Sequence, residues 1–195
     1  KVLDQLAKLK FNRILFVLWP NQPFLHYEVS GVKRNTATLF FGYRFPITDD
    51  MVGRQLFGND HEFYNPDFPL GAAYEDLVEA GQRHIHEIIR YAASRGMECV
   101  INYTLNEGYP NEFAPLLKES RPTIKHGLPM VVPGDEVGPD DPSLLELASA
   151  TMRAVVKTYP EARLLVLDMP EHRIWAAAYE RAWRSLNDRY GIESI

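Results

Sequence analysis

The stretch Ile14-Leu15-Phe16-Val17-Leu18-Trp19 decides the fold of this chain. A continuous apolar run of this length is typical of a strand that is buried on both faces of a parallel sheet. Pro20 follows directly and ends the strand, because proline cannot donate a hydrogen bond within a sheet. Two similar runs occur later, ECVINY at residues 98–103 and RLLVLD at residues 163–168. We expect these three strands to lie in one sheet.

Helical stretches alternate with the strands. Apolar residues recur at helical spacing over residues 2–9 and 73–94, and Arg95-Gly96 ends the second pattern. A third helix is expected to begin at Asp141, an acidic N-cap followed by Pro142 at the first helical position. A last helix covers about residues 174–187. This alternation predicts a parallel sheet with right-handed crossovers.

Long loops follow the carboxyl ends of the strands. Residues 21–71 are rich in aromatic residues, glycine and proline, with a possible hairpin strand at residues 36–43, and residues 106–141 form a second excursion. In (β/α)8 barrels the active-site loops lie at this end of every strand. We therefore expect an α/β fold, a partial (β/α)8 TIM barrel with about strands 2 to 4, their helices and long βα loops. An open, doubly wound sheet of flavodoxin type is the alternative.

A complete barrel takes about 250 residues, so a chain of 195 residues with long loops is too short to close one. We expect the 195 residues to be a fragment of a single TIM-barrel catalytic domain with a long loop insertion at residues 21–71. The opening KVLDQL is typical of the middle of an amphipathic helix, and residues 190–195 resemble a helix end followed by the start of a strand. The natural chain is accordingly expected to be longer at both ends.

Composition excludes several classes of partner. With 46% hydrophobic and 24% charged residues, the chain is ordinary globular protein. Its net charge of −5 and its scattered lysines and arginines argue against nucleic acid. No apolar run approaches the roughly 20 residues of a membrane helix. The single Cys99 leaves the cellular compartment open.

Metal and cofactor motifs are missing from the sequence. His84 and His86 are two residues apart on a helix and face different directions, whereas helical metal ligands lie four apart. The acidic residues at 135–141 lack the alternating ligand pattern of an EF-hand loop. Motifs for a serine nucleophile, a phosphate loop or a zinc ribbon do not occur. We expect neither a metal nor a cofactor.

Carboxylates at the end of the last strand suggest chemistry. Asp168 ends the apolar run and Glu171 stands three residues later. Hydrolysis of a glycosidic bond uses two carboxyl groups, one of which protonates the leaving oxygen. The alternative is that Asp168 or Glu171 only caps the following helix, where the helix dipole favours an acidic group.

Further candidates follow the first two strands. Trp19 ends the first strand, and an aromatic face at that position suits stacking on a sugar ring. Asn102, Tyr103 and Glu107 lie at or after the end of the second strand, where they suit hydroxyl recognition; His172 follows Glu171. The alternative for the aromatic residues is simple core packing, and for Glu107 a solvated loop.

Two parts of the chain resemble a known enzyme group. The opening LDQLAKLKFNRI at residues 3–14 resembles the helix, Lys-x-Asn and strand 2 of glycoside hydrolase barrels of the β-N-acetylhexosaminidase type (family 20) and the α-glucuronidase type (families 67 and 115). The segment from DDPS at residues 140–143 through YPEA at 159–162 to Glu171 resembles the region through strand 4 of the same enzymes.

The resemblance implies that Glu171 is the general acid, since these enzymes carry that group at the end of strand 4. In hexosaminidases an aspartate immediately precedes this glutamate and orients the substrate's acetamido group. Asp168 is not adjacent to Glu171, so the chain departs from that pattern. The adjacent pair in Gly134-Asp135-Glu136 matches the signature in letters but precedes a capped helix, so we treat it as a coincidence.

These observations lead to one expected function and one alternative. We expect a glycosidase that acts on an oligo- or polysaccharide by carboxylate acid/base catalysis, with the isolated fragment inactive. The resemblance implies a periplasmic or extracellular location for the longer protein. The alternative is a non-catalytic saccharide-binding barrel module that keeps Trp19 and Tyr103.

Overall fold

A mixed α/β arrangement is seen in the computed structural model, which describes residues 1–38, 44–64, 71–105, 108–125, 128–138, 140–168, 184 and 187–191. The helices are α1 (Val2–Lys8), α2 (Tyr74–Ser94) and α3 (Pro142–Thr158), and short 3-10 helices span Arg54–Phe57 and Asn111–Leu116. The strands are β1 (Arg13–Leu18), β2 (Glu28–Val29), β3 (Val32–Lys33), β4 (Arg44–Pro46), β5 (Glu62–Tyr64), β6 (Glu98–Thr104), β7 (Arg121–Lys125), β8 (Leu128–Val132) and β9 (Leu164–Asp168).

The three expected strands form one parallel sheet in the order β1-β6-β9. The sheet order therefore follows the chain order, and each crossover steps in the same direction. Right-handed crossovers of this kind place α2 and α3 on the same face of the sheet. At the amino end of the strands, Glu98 accepts hydrogen bonds from Arg13 and Arg163, at 2.8 and 3.0 Å.

The helix-covered face holds the main core. The side chains of Leu18, Ile101 and Tyr103 point to this face and are at most 3% exposed. They pack in one cluster with apolar residues of both long helices. From α2 and α3 the cluster includes Ile85, Ile89, Ala92, Leu144, Leu147 and Val155. This packing explains why both helices carry a single apolar stripe.

The opposite face of the sheet is open along its two outer strands, whereas Val100 and Thr104 of the central strand are only 3% and 4% exposed on it. The exposure of β1 corrects the expectation that this strand is buried on both faces. Because side chains alternate along a strand, Leu15 and Val17 share this face with Leu164 and Val166. These four residues are between 42% and 51% exposed. Apolar side chains of all three α-helices belong to the cluster on the covered face or pack against it.

The loops between the strands contain short hairpins. β2 pairs with β3, β4 with β5, and β7 with β8, all antiparallel. Residues 36–38 are not in a strand and residues 39–43 lie outside the described residues, so the expected hairpin strand at 36–43 is not seen in its described part. The predicted helix over residues 174–187 likewise lies almost wholly outside the description.

The described helices were also compared with the length and hydropathy that a bilayer requires. None of the helices in the described ranges is long and apolar enough to cross a membrane.

Helix α3 begins as its sequence predicts, and this start is testable. The Asp141 carboxylate accepts a hydrogen bond from the Ser143 amide at 3.0 Å and one from Lys118 Nζ at 2.5 Å. We expect Asp141→Ala to lower the free energy of unfolding at neutral pH by about 1–2 kcal/mol, because the helix loses its N-cap. Asp141→Asn keeps an N-cap acceptor and is expected to lose less.

The pH dependence of the unfolding free energy gives a second test of the Asp141 N-cap. The hydrogen bond from Lys118 lowers the pKa of Asp141 below its usual value of 3.8. A lowered folded-state pKa means that the carboxylate stabilises the fold above its unfolded-state value and loses this effect as the pH falls through the folded value. Denaturant titrations should therefore show the advantage of Asp141 over Asn shrinking below about pH 4; an advantage independent of pH would contradict this.

The difference between the two sheet faces predicts unequal mutational costs. Ile101→Ala on the covered face should cost about 2–5 kcal/mol of unfolding free energy. In the 195-residue chain, Val17→Thr on the open face should change the unfolding free energy by no more than about 0.5 kcal/mol. Chemical denaturation of both variants measures this, and comparable losses would show that the open face is packed.

Candidate functional site

The carboxyl edge of the sheet brings three polar residues to its open face. Thr104 lies opposite Asp168 in the register, and Asn102 lies between Val17 and Val166. Alternation along the strands places all three side chains on the open face. Asp168, a predicted catalytic residue, is solvent-exposed, whereas Thr104 is 4% exposed. The exposed Asp168 carboxylate suits hydrogen bonding to a polyhydroxy ligand.

Asn102 has an unusual environment. Its Oδ1 atom is buried and has no hydrogen-bond partner in the described structure. An unpaired buried acceptor costs about 1–3 kcal/mol, and a functional role is one of the explanations for such an atom in a native structure. This places Asn102, predicted to bind substrate, among the residues that have hydrogen-bonding capacity left for a ligand.

Trp19 lies one residue beyond the end of β1 and is partly exposed. Gln22 holds its backbone on both sides. The Trp19 amide donates to Gln22 Oε1 at 3.0 Å, and the Trp19 carbonyl accepts from the Gln22 amide at 3.1 Å. These bonds form a tight turn directly after the strand, so the tryptophan is held at the carboxyl edge.

Tyr103 requires a revision of the expected site. It points to the helix-covered face and is 3% exposed, within the main core. Burial raises its pKa well above the usual value of 10.0. A ring in this position packs in the core, which was the alternative stated for it, and we no longer assign it direct contact with a sugar.

Glu171, His172 and Glu107 lie outside the described residues. Asp135 of the Gly134-Asp135-Glu136 sequence lies in the loop that precedes α3 and forms an ion pair with Arg121 of β7.

Sequence reasoning missed Arg34, which is 1% exposed. Its guanidinium donates to the carbonyls of Gln22 and Leu25, both at 2.6 Å, and lies 5.9 Å from the centre of the Tyr27 ring. The pair Ser30-Gly31 is the sequence feature that could have indicated a chain reversal before Arg34. Both residues have positive φ, 48° and 79°, as in the two-residue hairpin turns that reverse a chain. The reversal brings Arg34 back beside Tyr27, whose carbonyl accepts from the Arg34 amide at 3.1 Å.

Glu112 joins the two long loops. Its carboxylate accepts from the amides of Asn35 and Thr36 at 2.7 and 3.0 Å, and from the Thr36 hydroxyl at 2.8 Å. The neighbouring Phe113 stacks on Tyr27 with ring centres 5.2 Å apart. Asn21 Nδ2 also donates to the Pro129 carbonyl at 2.6 Å. The loop after β1 and the loop after β6 are thus packed into one structure.

Histidines and acidic residues were examined as metal ligands. His86 lies 2.9 Å from a Glu161 oxygen and His26 lies 2.9 Å from the Tyr74 hydroxyl. Within the described ranges, no group of three or more histidine, cysteine, aspartate or glutamate side chains is arranged to hold a metal ion.

Comparison with known proteins adds no relative. No protein-family model, curated protein or solved structure matches the chain.

The buried tyrosines give a test of this packing. Burial raises the pKa of Tyr27 and Tyr103 above 10.0 and that of Tyr74 to about 12. In an ultraviolet titration of the folded protein, these tyrosines should ionise at a higher pH than exposed tyrosines, which ionise near pH 10. A raised folded-state pKa also means that stability is lost as the pH rises above the unfolded-state value. Ionisation of every tyrosine near its ordinary pKa in the folded protein would contradict the packing.

Proposed function

We propose that this chain is part of a (β/α)8-barrel glycoside hydrolase that acts on an oligo- or polysaccharide. The observation that carries the proposal is the position of Asp168, Thr104 and Asn102 on the open face of a parallel sheet, at its carboxyl edge. Barrel enzymes build their active sites at this edge. The resemblance of residues 3–14 and 140–171 to glycoside hydrolase barrels adds the reaction class.

The open sheet face favours a barrel over a doubly wound sheet. A flavodoxin-type sheet is covered by helices on both faces, whereas Leu15, Val17, Leu164 and Val166 are all more than 40% exposed. In a closed barrel this face becomes the interior, where branched apolar side chains from the strands pack together in layers. The apolar character of these four residues fits that position.

Each residue has a defined role in the proposed reaction. Glu171 protonates the glycosidic oxygen as the bond to the leaving group breaks. Asp168 assists the reaction, with a second catalytic carboxylate at the end of a later barrel strand as the alternative, and Asn102, Glu107 and His172 bind sugar hydroxyls. Trp19 offers its partly exposed ring to the apolar face of a sugar. No cofactor is required for this chemistry.

A saccharide-binding module is the second candidate. Hydrolysis needs two carboxyl groups, and Asp168 is the acidic residue that the described strands present on the open face at this edge. A module of this kind would use Trp19 and Asn102 for binding and carry out no reaction.

Substitution of the carboxylates in the full-length natural protein separates these possibilities. We expect Glu171→Gln to lower kcat/KM on a panel of nitrophenyl and natural glycosides by about 10²–10⁴, the usual contribution of a general acid. Asp168→Asn should also lower it while changing the unfolding free energy by less than about 0.5 kcal/mol, because Asp168 is exposed. Glu87→Gln, on the exposed side of α2, is the matched control and should keep the parental rate.

The outcomes are distinct. Hydrolysis at the parental rate by Glu171→Gln would remove the general acid assignment. Saccharide binding without turnover across the panel would favour the binding module. If the protein neither binds nor hydrolyses any saccharide of the panel, the proposal as a whole is overturned.

A further inference from the structure

A chain of hydrogen bonds connects the buried Arg34 to the exposed carboxyl edge. Arg34 Nη2 donates to the Gln22 carbonyl, and Arg34 Nη1 donates to the Leu25 carbonyl, both at 2.6 Å. The amide of the same Gln22 donates to the Trp19 carbonyl, and its side-chain Oε1 accepts from the Trp19 amide. Gln22 is therefore held by Arg34 on one side and holds the backbone of Trp19 on the other.

We propose that Arg34 is a positioning residue that fixes Trp19 for contact with a saccharide, through Gln22. This inference rests on the proposed function, in which Trp19 stacks on a sugar ring. A stacking platform binds well only if its orientation is set before the ligand arrives, because ordering a side chain on binding reduces affinity. Arg34 acts on the binding site through Gln22, without touching the ligand.

The geometry explains why arginine occupies this position. Two neighbouring carbonyls are bridged by the planar fork of one guanidinium, and a lysine ammonium has no equivalent pair of fixed donors. A buried cation is costly unless its donors are satisfied. Arg34 offsets part of this cost with two short hydrogen bonds and with the face of the Tyr27 ring, while its Nε is buried without a hydrogen-bond partner.

The position of Arg34 is itself fixed by residues of the loop after β6. Glu112 binds the amides of Asn35 and Thr36, the two residues that follow Arg34. Phe113 stacks on the Tyr27 ring that lies under the guanidinium. The loop after β6 therefore helps to fix Arg34 in the loop after β1, and with it the position of Trp19.

The test follows Trp19 directly and does not require a known ligand. The full-length natural protein is labelled with fluorotryptophan, and the Trp19 resonance in the fluorine NMR spectrum is assigned by its loss in Trp19→Phe. We expect Arg34→Met to shift this resonance and to increase its solvent isotope effect, with Arg34→Lys intermediate. Arg153→Met, an exposed arginine of α3, is the matched control and should leave the resonance unchanged.

A second variant keeps the test decisive if Arg34→Met fails to fold. Gln22→Leu removes the acceptor for the Trp19 amide and leaves the Gln22 carbonyl available to Arg34, so it should change the Trp19 resonance in the same direction. If the parent protein binds a saccharide, both variants should raise the Kd or KM for that saccharide by between about tenfold and a hundredfold, because a misplaced binding group weakens the interaction. The value of kcat should change much less.

The readouts distinguish failure of this inference from failure of the proposed function. An unchanged Trp19 resonance in Gln22→Leu and in every folded Arg34 variant would overturn the positioning role. A changed resonance with parental saccharide affinity would also overturn it, because Trp19 would then move without effect on binding. If no saccharide binds the parent, the proposed function fails, and the inference about saccharide contact fails with it even if Arg34 fixes Trp19.

Discussion

The parallel register of β1, β6 and β9 is the constraint on which the rest of the structure depends. Because the strands are adjacent in chain order, right-handed crossovers put α2 and α3 on one face and leave the other face to the strands' own side chains. The same register brings every strand's carboxyl end to one edge. The core, the open face and the candidate site all follow from this single arrangement.

The loops do more than connect the elements at this edge. Tyr27, Phe113 and Tyr109 from the two long loops belong to the same buried cluster as the strands and helices. Polar contacts by Arg34 and Glu112 hold these loops together. A loop region with its own core and anchors can present side chains such as Trp19 in fixed positions, which a ligand site requires.

The sequence predicts the sheet and its helices well, since each has a local cause: unbroken apolar runs for β1, β6 and β9, and the Asp141-Pro142 start for α3. It overestimates the burial of β1, because an apolar run does not show how many faces a neighbour covers. It misplaces Tyr103, since one position along a strand separates the covered face from the open one. Arg34 was missed because its burial depends on the turn at Ser30-Gly31 and on the contacts that its neighbours make with Glu112 and Phe113, which lie far away in the chain.

The central claim is that the carboxyl edge of this sheet binds saccharide, and mapping the contact by NMR tests it most directly. Backbone amide shifts of the full-length natural protein are followed during titration with a panel of neutral and acidic oligosaccharides. We expect the shifts to concentrate at Trp19, Asn102 and Thr104, with Arg13 and Glu98 at the amino edge unaffected. Shifts centred on the amino edge, or none with any member of the panel, would contradict it.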